Sequence, residues 1–368
     1  MDKIRLGILG MGTMGMKYAG MALSQETPEI ELTAATASRD PQRQTKIEQF
    51  AQAGVQIFQS ADALMDSGAC DSVLIAVPHY LHCEMAIKAF QKGLHVLCDK
   101  PAGVYTKQVR QMNRAAEESG RVFGMLFNQR TNCVYRRIKE LTESGSLGKL
   151  KRVNWIITDW YRPQAYYNSG TWRATWEGEG GGVLINQCPH QLDLLQWICG
   201  MPSRVRAFCH EGKWHSIEVE DDVTAYMEFP GGATGVFVTS TGDAPGTNRL
   251  ELTYEMGKLV CEDDRLSLWK LEENERDFCR NAAGGFDMPR WEQSEVQTDG
   301  NNEQHVGVMN AFAASILHQT PLIAEGMEGI NELMISNAMY LSSWTGETVE
   351  LPLNEETFFT ELKKKCGN

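Results

Sequence analysis

The run Ile4-Arg5-Leu6-Gly7-Ile8-Leu9-Gly10-Met11-Gly12-Thr13-Met14-Gly15 constrains the fold more than any other part of this chain. Its first six residues read as a buried strand, and the residues from about Met14 to Ser24 have helical period. A strand that passes straight into a helix through glycines must lay that helix back on its own sheet. Gly10 permits the tight turn, Gly12 lets the backbone approach a pyrophosphate, and Gly15 lets helix and strand close on each other. The helix N-terminus, opened by Thr13 and Met14, then faces the phosphates. Such spacing also occurs by chance in plain turns. The strand before it and the helix after it are what point to a bound dinucleotide.

The first third of the chain keeps alternating. Strands are predicted near 3–9, 30–37, 55–58, 72–77, 94–98 and 121–127, with helices between them, which implies a parallel sheet covered on both faces. Ligands bind at the C-terminal ends of such strands. At one of those ends, Gly93 to Cys98 runs into Asp99-Lys100-Pro101, so an ammonium sits at a rigid, partly dry position. The second strand ends at Ala37-Ser38-Arg39-Asp40-Pro41. Ser38 and Arg39 suit the 2′-phosphate of NADP, which the reading leans towards; Asp40 swinging in to the ribose would instead serve NAD.

After Gly148 strand patterns follow one another, from Leu150–Tyr161 through Leu266–Leu271, with Gly231-Gly232 as a hairpin signal. This predicts an α+β domain with a large, mostly antiparallel sheet, closed by helices near Glu303–Gln319 and Met327–Thr345. The expected division is 1–127 for the dinucleotide and 128–368 for substrate and oligomer contacts. The stretch Glu273 to Asn302 is expected to be ordered, because Phe278, Phe286 and Trp291 need somewhere to pack.

A second constellation lies in Gly180-Gly181-Gly182-Val183-Leu184-Ile185-Asn186-Gln187-Cys188-Pro189-His190. Asn186 and His190 share a face if that stretch is one helix, and Pro189 places His190 near a first turn, exposed to a cleft. Upstream, Trp160, Tyr161, Arg162, Tyr166, Tyr167, Trp172, Arg173 and Trp176 form an aromatic and basic stretch suited to the apolar faces and hydroxyls of sugars. Such stretches also pack under domains. Asn128-Gln129-Arg130 offers a further polar wall. His79 and His82 lack acidic or histidine partners at zinc spacing, so no metal is expected.

A net charge of -13 argues against nucleic acid or an anionic membrane as partner, and no apolar run approaches the roughly 20 residues of a membrane span. Ten cysteines without a CxxC pair read as reduced thiols in a cytoplasmic protein.

Taken together, the glycine turn, the strand with Asp-Lys-Pro, and GGG-x₃-Asn-x₃-His resemble the Gfo/Idh/MocA oxidoreductases, the glucose–fructose oxidoreductase and inositol dehydrogenase group. Val77-Pro78-His79 with Leu81-His82, and Glu328-Gly329, extend the likeness over essentially the whole chain. The resemblance implies a Rossmann domain and an α+β domain whose open sheet face mediates homo-oligomerisation. It implies hydride transfer between a sugar, glycoside or cyclitol carbinol carbon and nicotinamide, with a keto-glycoside among the products. Pro78, His79, His82 and Asp99 would lie near the cofactor, and Lys100 and His190 match the catalytic lysine and histidine. Substrate contacts would include Lys100, Arg130, Tyr161, Trp172, Arg173, Asn186 and His190. Asp99 replaces the usual glutamate. Asn186 stands where many members carry an aspartate, and an amide cannot balance an imidazolium by charge.

A histidine with the ordinary pKa of about 6.5 suits removal of the hydroxyl proton, with Lys100 stabilising the alkoxide; the sequence leaves open an exchange of these roles. Other readings stay open as well: an inositol dehydrogenase, a redox-neutral glycosidase using held NAD, and a dinucleotide sensor. Asn186 counts against the first, and the presence of both Lys100 and His190 counts against the last.

Overall fold

The computed structural model describes residues 2–38 and 40–367. The chain forms two compact units, Met1–Thr131 with Glu303–Leu333, and Asn132–Asn302 with Met334–Asn368.

In the first unit, β1 (Ile4–Leu9), β2 (Ile30–Thr36), β3 (Gln56–Phe58), β4 (Ser72–Ile75), β5 (His95–Cys98) and β6 (Phe123–Met125) are buried apolar runs. Among the described residues they form a six-stranded sheet in the order β3-β2-β1-β4-β5-β6, parallel throughout. The order reverses between β1 and β4, which opens a crevice at their C-terminal ends. The glycine turn leaves β1 there, and Lys100 follows β5, one strand further along.

The segment Glu303–Leu333 returns to this first unit, whose leading part runs to Thr131. Val308, Met309, Phe312 and Ala313 make one stripe on the helix Gln304–His318 and pack with Ile4, Leu6 and Tyr18. An apolar stripe shows that a helix will be covered, but not by which sheet. Burying each large side chain of that stripe is worth about 1.5–3 kcal/mol, which holds the returning segment in place.

In the second unit, β7 (Leu150–Ile157), β8 (Arg204–Glu211), β9 (Glu220–Glu228), β10 (Thr234–Ser240), β11 (Asn248–Tyr254), β12 (Gly257–Glu262), β13 (Arg265–Leu271), β14 (Trp291–Glu295) and β15 (Val349–Glu350) form one sheet among the described residues. Its order is β14-β13-β12-β11-β7-β10-β9-β8-β15, antiparallel except where β10 meets β7. Trp155, Phe237, Ala225 and Ala207 oppose one another across four strands on the buried face. One residue along, Ile156, Val238, Thr224 and Phe208 make the matching row on the other face, where Ile156 and Phe208 are exposed.

The stretch from 273 to 302 is ordered, but not for the expected reason. Phe286 is 100% exposed and Trp291 53% exposed, so neither anchors it by burial. Backbone pairing of β14 with β13 holds it, with the side chain of Asn274 capping the helix Glu275–Asn281. Among the described residues, no helix is long and apolar enough to cross a membrane.

Candidate active site

The glycine turn has the geometry its spacing implies. Gly10 has φ +96°, and a Cβ there would lie 2.4 Å from the Ala76 carbonyl oxygen. A Cβ on Gly15 would lie 1.9 Å from the Gly10 oxygen. At Gly12 a Cβ would meet only the Arg43 guanidinium at 3.5 Å, so the backbone is open to an approaching phosphate. The helix Thr13–Leu23 starts here, with its first N–H groups available to an anion.

Arg43 was missed in the sequence. It donates to Met11 O (3.1 Å) and Thr13 Oγ1 (3.3 Å), and its Nε lies 3.0 Å from Asp40. Asp40 also caps the turn Pro41–Arg43 by accepting from Gln42 N. Ser38 Oγ accepts from Asp40 N at 3.3 Å. Arg39 lies outside the described residues.

At the end of β5, buried Asp99 accepts the Lys100 backbone N–H at 2.8 Å, so the carboxylate fixes the lysine by its main chain. Burial raises the Asp99 pKa, opposed by the charges of Lys100 and His82 and by the hydrogen bond from Lys100 N, with the Tyr18 ring close by. Tyr18 comes from the dinucleotide helix, so that helix reaches the lysine turn.

His82 opens the helix His82–Gln91 and is held by backbone on both sides. It is 1% exposed, and its ring nitrogens lie 2.7 Å from Pro101 O and 2.8 Å from Val77 O. It ties the loop after β4 to the loop after β5, and burial lowers its pKa against the pull of Asp99. His79 is buried with its ring edge-on to His82, 5.9 Å away, in the short turn that follows Pro78.

The residues at 128–130 pack against the returning segment. Arg130 is 2% exposed, paired with Glu328 and lying over Phe127, while Asn128 donates to Gln304. A residue the sequence did not flag joins this region: His305, whose ring is 5.6 Å from Tyr18. Burial, with Lys17 and Lys100 nearby, pushes its pKa down to about 4. It arrives on the returning segment, so no local pattern could mark it.

In the second unit, the stretch Asn186 to His190 is not one helix. A short helix, Val183–Asn186, ends, and another begins at Pro189 and runs to Cys199, with His190 in its first turn. Pro189 lacks the N–H that would continue the ladder, and Cys188 N bonds back to Val183 O instead. Buried Glu220 carries the first of these helices. It accepts from Gly182 N and Leu184 N at 2.9 Å each and from the Tyr340 hydroxyl at 2.8 Å. A Cβ on Gly182 would lie 1.9 Å from the Glu220 carbonyl oxygen, so only glycine lets the turn seat there.

The aromatic stretch divides into two roles. Trp176 stacks edge-on against Tyr340 and Trp344, and Tyr167 is buried with its hydroxyl on Thr241, so both serve the core. Trp172 and Tyr161 stay exposed. Arg173 lies between Trp172 and Tyr166, 4.7 and 4.5 Å from their ring centres, and donates to the Tyr166 hydroxyl at 2.7 Å. Gln187 reaches the same hydroxyl at 3.3 Å. Glu179, unremarked in the sequence, accepts from Asn186 Nδ2 and lies 3.5 Å from Arg173. Thus Asn186, Arg173, Tyr166 and Trp172 belong to one cluster, built by the loop and the two short helices.

Two family models match the chain: an oxidoreductase family with NAD-binding Rossmann fold over residues 4–127, and the GFO/IDH/MocA C-terminal domain over 135–260. The chain belongs to the Gfo/Idh/MocA oxidoreductases.

Within that family it is 24% identical to D-glucoside 3-dehydrogenase of Escherichia coli K12, over 95% of this chain and 97% of that one. It is 26% identical to levoglucosan dehydrogenase of Pseudarthrobacter phenanthrenivorans, covering 70% and 72%. Its fold matches the WlbA dehydrogenase of Bordetella pertussis in complex with NADH and UDP-GlcNAcA. That match has a TM-score of 0.81 at 25% identity, over 96% of this chain and 100% of that one. This Gfo/Idh/MocA chain is thus an NAD(P)-binding oxidoreductase related to sugar dehydrogenases. Among its described residues no group of His, Cys, Asp and Glu is placed to hold a metal ion.

Proposed function

We propose that this protein is a sugar or glycoside dehydrogenase, with a keto-glycoside as its oxidised product. The observation that supports this most is Lys100, held by its backbone on buried Asp99 at the strand end beside the dinucleotide turn. A non-catalytic dinucleotide binder has no need of a lysine whose main chain is held there. Two relatives named for glucosides and levoglucosan give the substrate class its direction.

In this reading the first unit takes the dinucleotide on Gly10, Gly12, Gly15 and the helix that starts at Thr13. The open approach at Gly12 fits such a group. Bound nicotinamide supplies the hydride acceptor. Lys100 donates a hydrogen bond to the substrate oxygen as negative charge develops, a contribution of about 2.7–4 kcal/mol for one well-placed donor. His190 takes the hydroxyl proton, and Asn186 orients that hydroxyl. Trp172 and Tyr161 offer rings to the sugar's C–H faces, and Arg173, close to the Tyr166 and Trp172 rings, offers guanidinium donors to its hydroxyls. Arg43 beside Gly12 supports the lean towards a 2′-phosphate, while the NADH in the Bordetella relative favours NAD.

The exposed sheet row through Ile156 and Phe208, with Tyr226 beside it, would pair copies of the chain. Light scattering of the purified protein tests that part. A single monomer mass would remove it.

The activity itself is tested by the absorbance of reduced nicotinamide when the protein meets free sugars, glycosides and inositols with NAD or NADP. A rise with glycosides or sugars supports the proposal. A rise confined to inositols, or aryl-glycoside cleavage without reduced cofactor, would replace it.

A further inference from the structure

We infer that Glu179 is a positioning residue that supplies, through Asn186, the negative charge an acid at position 186 would have brought to His190 and the substrate hydroxyl. This rests on the proposed role of His190. Glu179 lies just before the glycine turn and is 2% exposed. A carboxylate so buried is costly unless donors surround it, and here its own loop supplies them. Ala174 N donates to Oε2 at 2.6 Å, Arg173 approaches Oε1 at 3.5 Å, and Asn186 Nδ2 donates to Oε1.

An ionised carboxylate only accepts, so it dictates which way the Asn186 amide faces. The NH₂ turns to Glu179 and Oδ1 turns to the opposite side as an acceptor. An amide bonded to a carboxylate is polarised by it, and hydrogen-bond chains of this kind strengthen along their length. The Asn186 oxygen thereby gains part of the charge that the amide lacks by itself. Glu179 touches neither substrate nor cofactor in this scheme and acts only through Asn186.

Holding the loop is the competing role, since Glu179 also anchors Ala174, whose φ is +56°. A charge exchange separates the two. Glu179→Gln should lower kcat about 10- to 100-fold, the usual scale for a partner that orients an active group, with KM and dinucleotide affinity little changed. Adding Asn186→Asp moves the acid one link along the same hydrogen bond, with the amide introduced by Glu179→Gln now donating to it. This double variant should regain about ten-fold of the loss, on the same scale. Asn186→Ala leaves the Ala174 and Arg173 contacts intact and should reproduce the fall in kcat even if Glu179→Gln folds poorly. Wild-type kcat in Glu179→Gln or in Asn186→Ala, or no recovery in the double variant, overturns the inference. His190→Asn is the control for the underlying reading. Full turnover there removes the role of His190 itself, whereas a dead His190→Asn beside a fully active Glu179→Gln refutes Glu179 alone.

Discussion

Replacing Glu220 with glutamine should remove a loss of stability that the native chain undergoes as pH rises from about 4.5 to about 7. The carboxyl is completely buried, and burial pushes its pKa from 4.5 up to about 7 despite donors from Gly182, Leu184 and Tyr340. The sign follows from which state loses its proton first. Below about 4.5 both folded and unfolded chains hold the proton, and the contribution to stability is complete. Between the two values the unfolded chain ionises while the folded one does not, so stability falls. Above about 7 both are ionised, and about 3 kcal/mol has been lost.

Glutamine cannot titrate, but its NH₂ replaces one of two oxygens that both already accept, Gly182 N on one and Leu184 N with the Tyr340 hydroxyl on the other. That mismatch costs about 1–3 kcal/mol at every pH. The variant should therefore be clearly weaker than wild type at pH 4, with the gap closing by about 3 kcal/mol by pH 8. If the chain unfolds cooperatively, that closure corresponds to about 4 °C in Tm for this length. Urea denaturation at several pH values, followed by tryptophan fluorescence, measures it directly. Asp99 also has a raised pKa and adds a slope of the same sign, but it is identical in both proteins and cancels in the difference. Parallel stability curves for wild type and variant would refute the reasoning. They would mean that the three donors, not burial, set the state of this carboxylate.

Lys100→Met should abolish turnover while dinucleotide affinity, measured by fluorescence titration, stays within a few-fold of wild type; retained turnover removes the lysine from the reaction. Arg43→Ala should weaken NADP about ten-fold or more and NAD little, as expected for loss of a charge-assisted contact to a phosphate. Equal weakening of both would make Arg43 only a brace for the Gly12 turn. Gly15→Ala should cost about 1–3 kcal/mol of stability and most of the dinucleotide affinity, because its methyl group must displace the Gly10 carbonyl. An alanine variant that binds normally would show that the turn relaxes without cost.

The parallel sheet was legible because its strands are continuous apolar runs bounded by turns, and glycines spaced as at Gly10, Gly12 and Gly15 leave little else to build. The backbone settings of Lys100 and His190 could be read for a related reason: each directly adjoins a proline or a strand end. What escaped depended on closure in three dimensions. Arg43 looks like any surface arginine until the turn it braces is folded. His305 belongs to the first unit only because the stripe Val308 to Ala313 finds that sheet and not the other. Tyr167 and Trp176 share composition with Trp172, yet two point inward and one outward, and local sequence does not distinguish them.

Asn186 shows the same limit from the opposite side. Read along the chain, an amide in place of an acid looks like a lost charge. In the folded loop a carboxylate reaches that amide from Glu179, seven residues upstream. A buried charge is tied to a place in space by the donors around it, and any backbone that reaches those donors can deliver it. Spacing motifs record which residue usually makes the delivery. A departure at one motif position is therefore a reason to search the neighbouring turns for the missing group before concluding that the chemistry has changed.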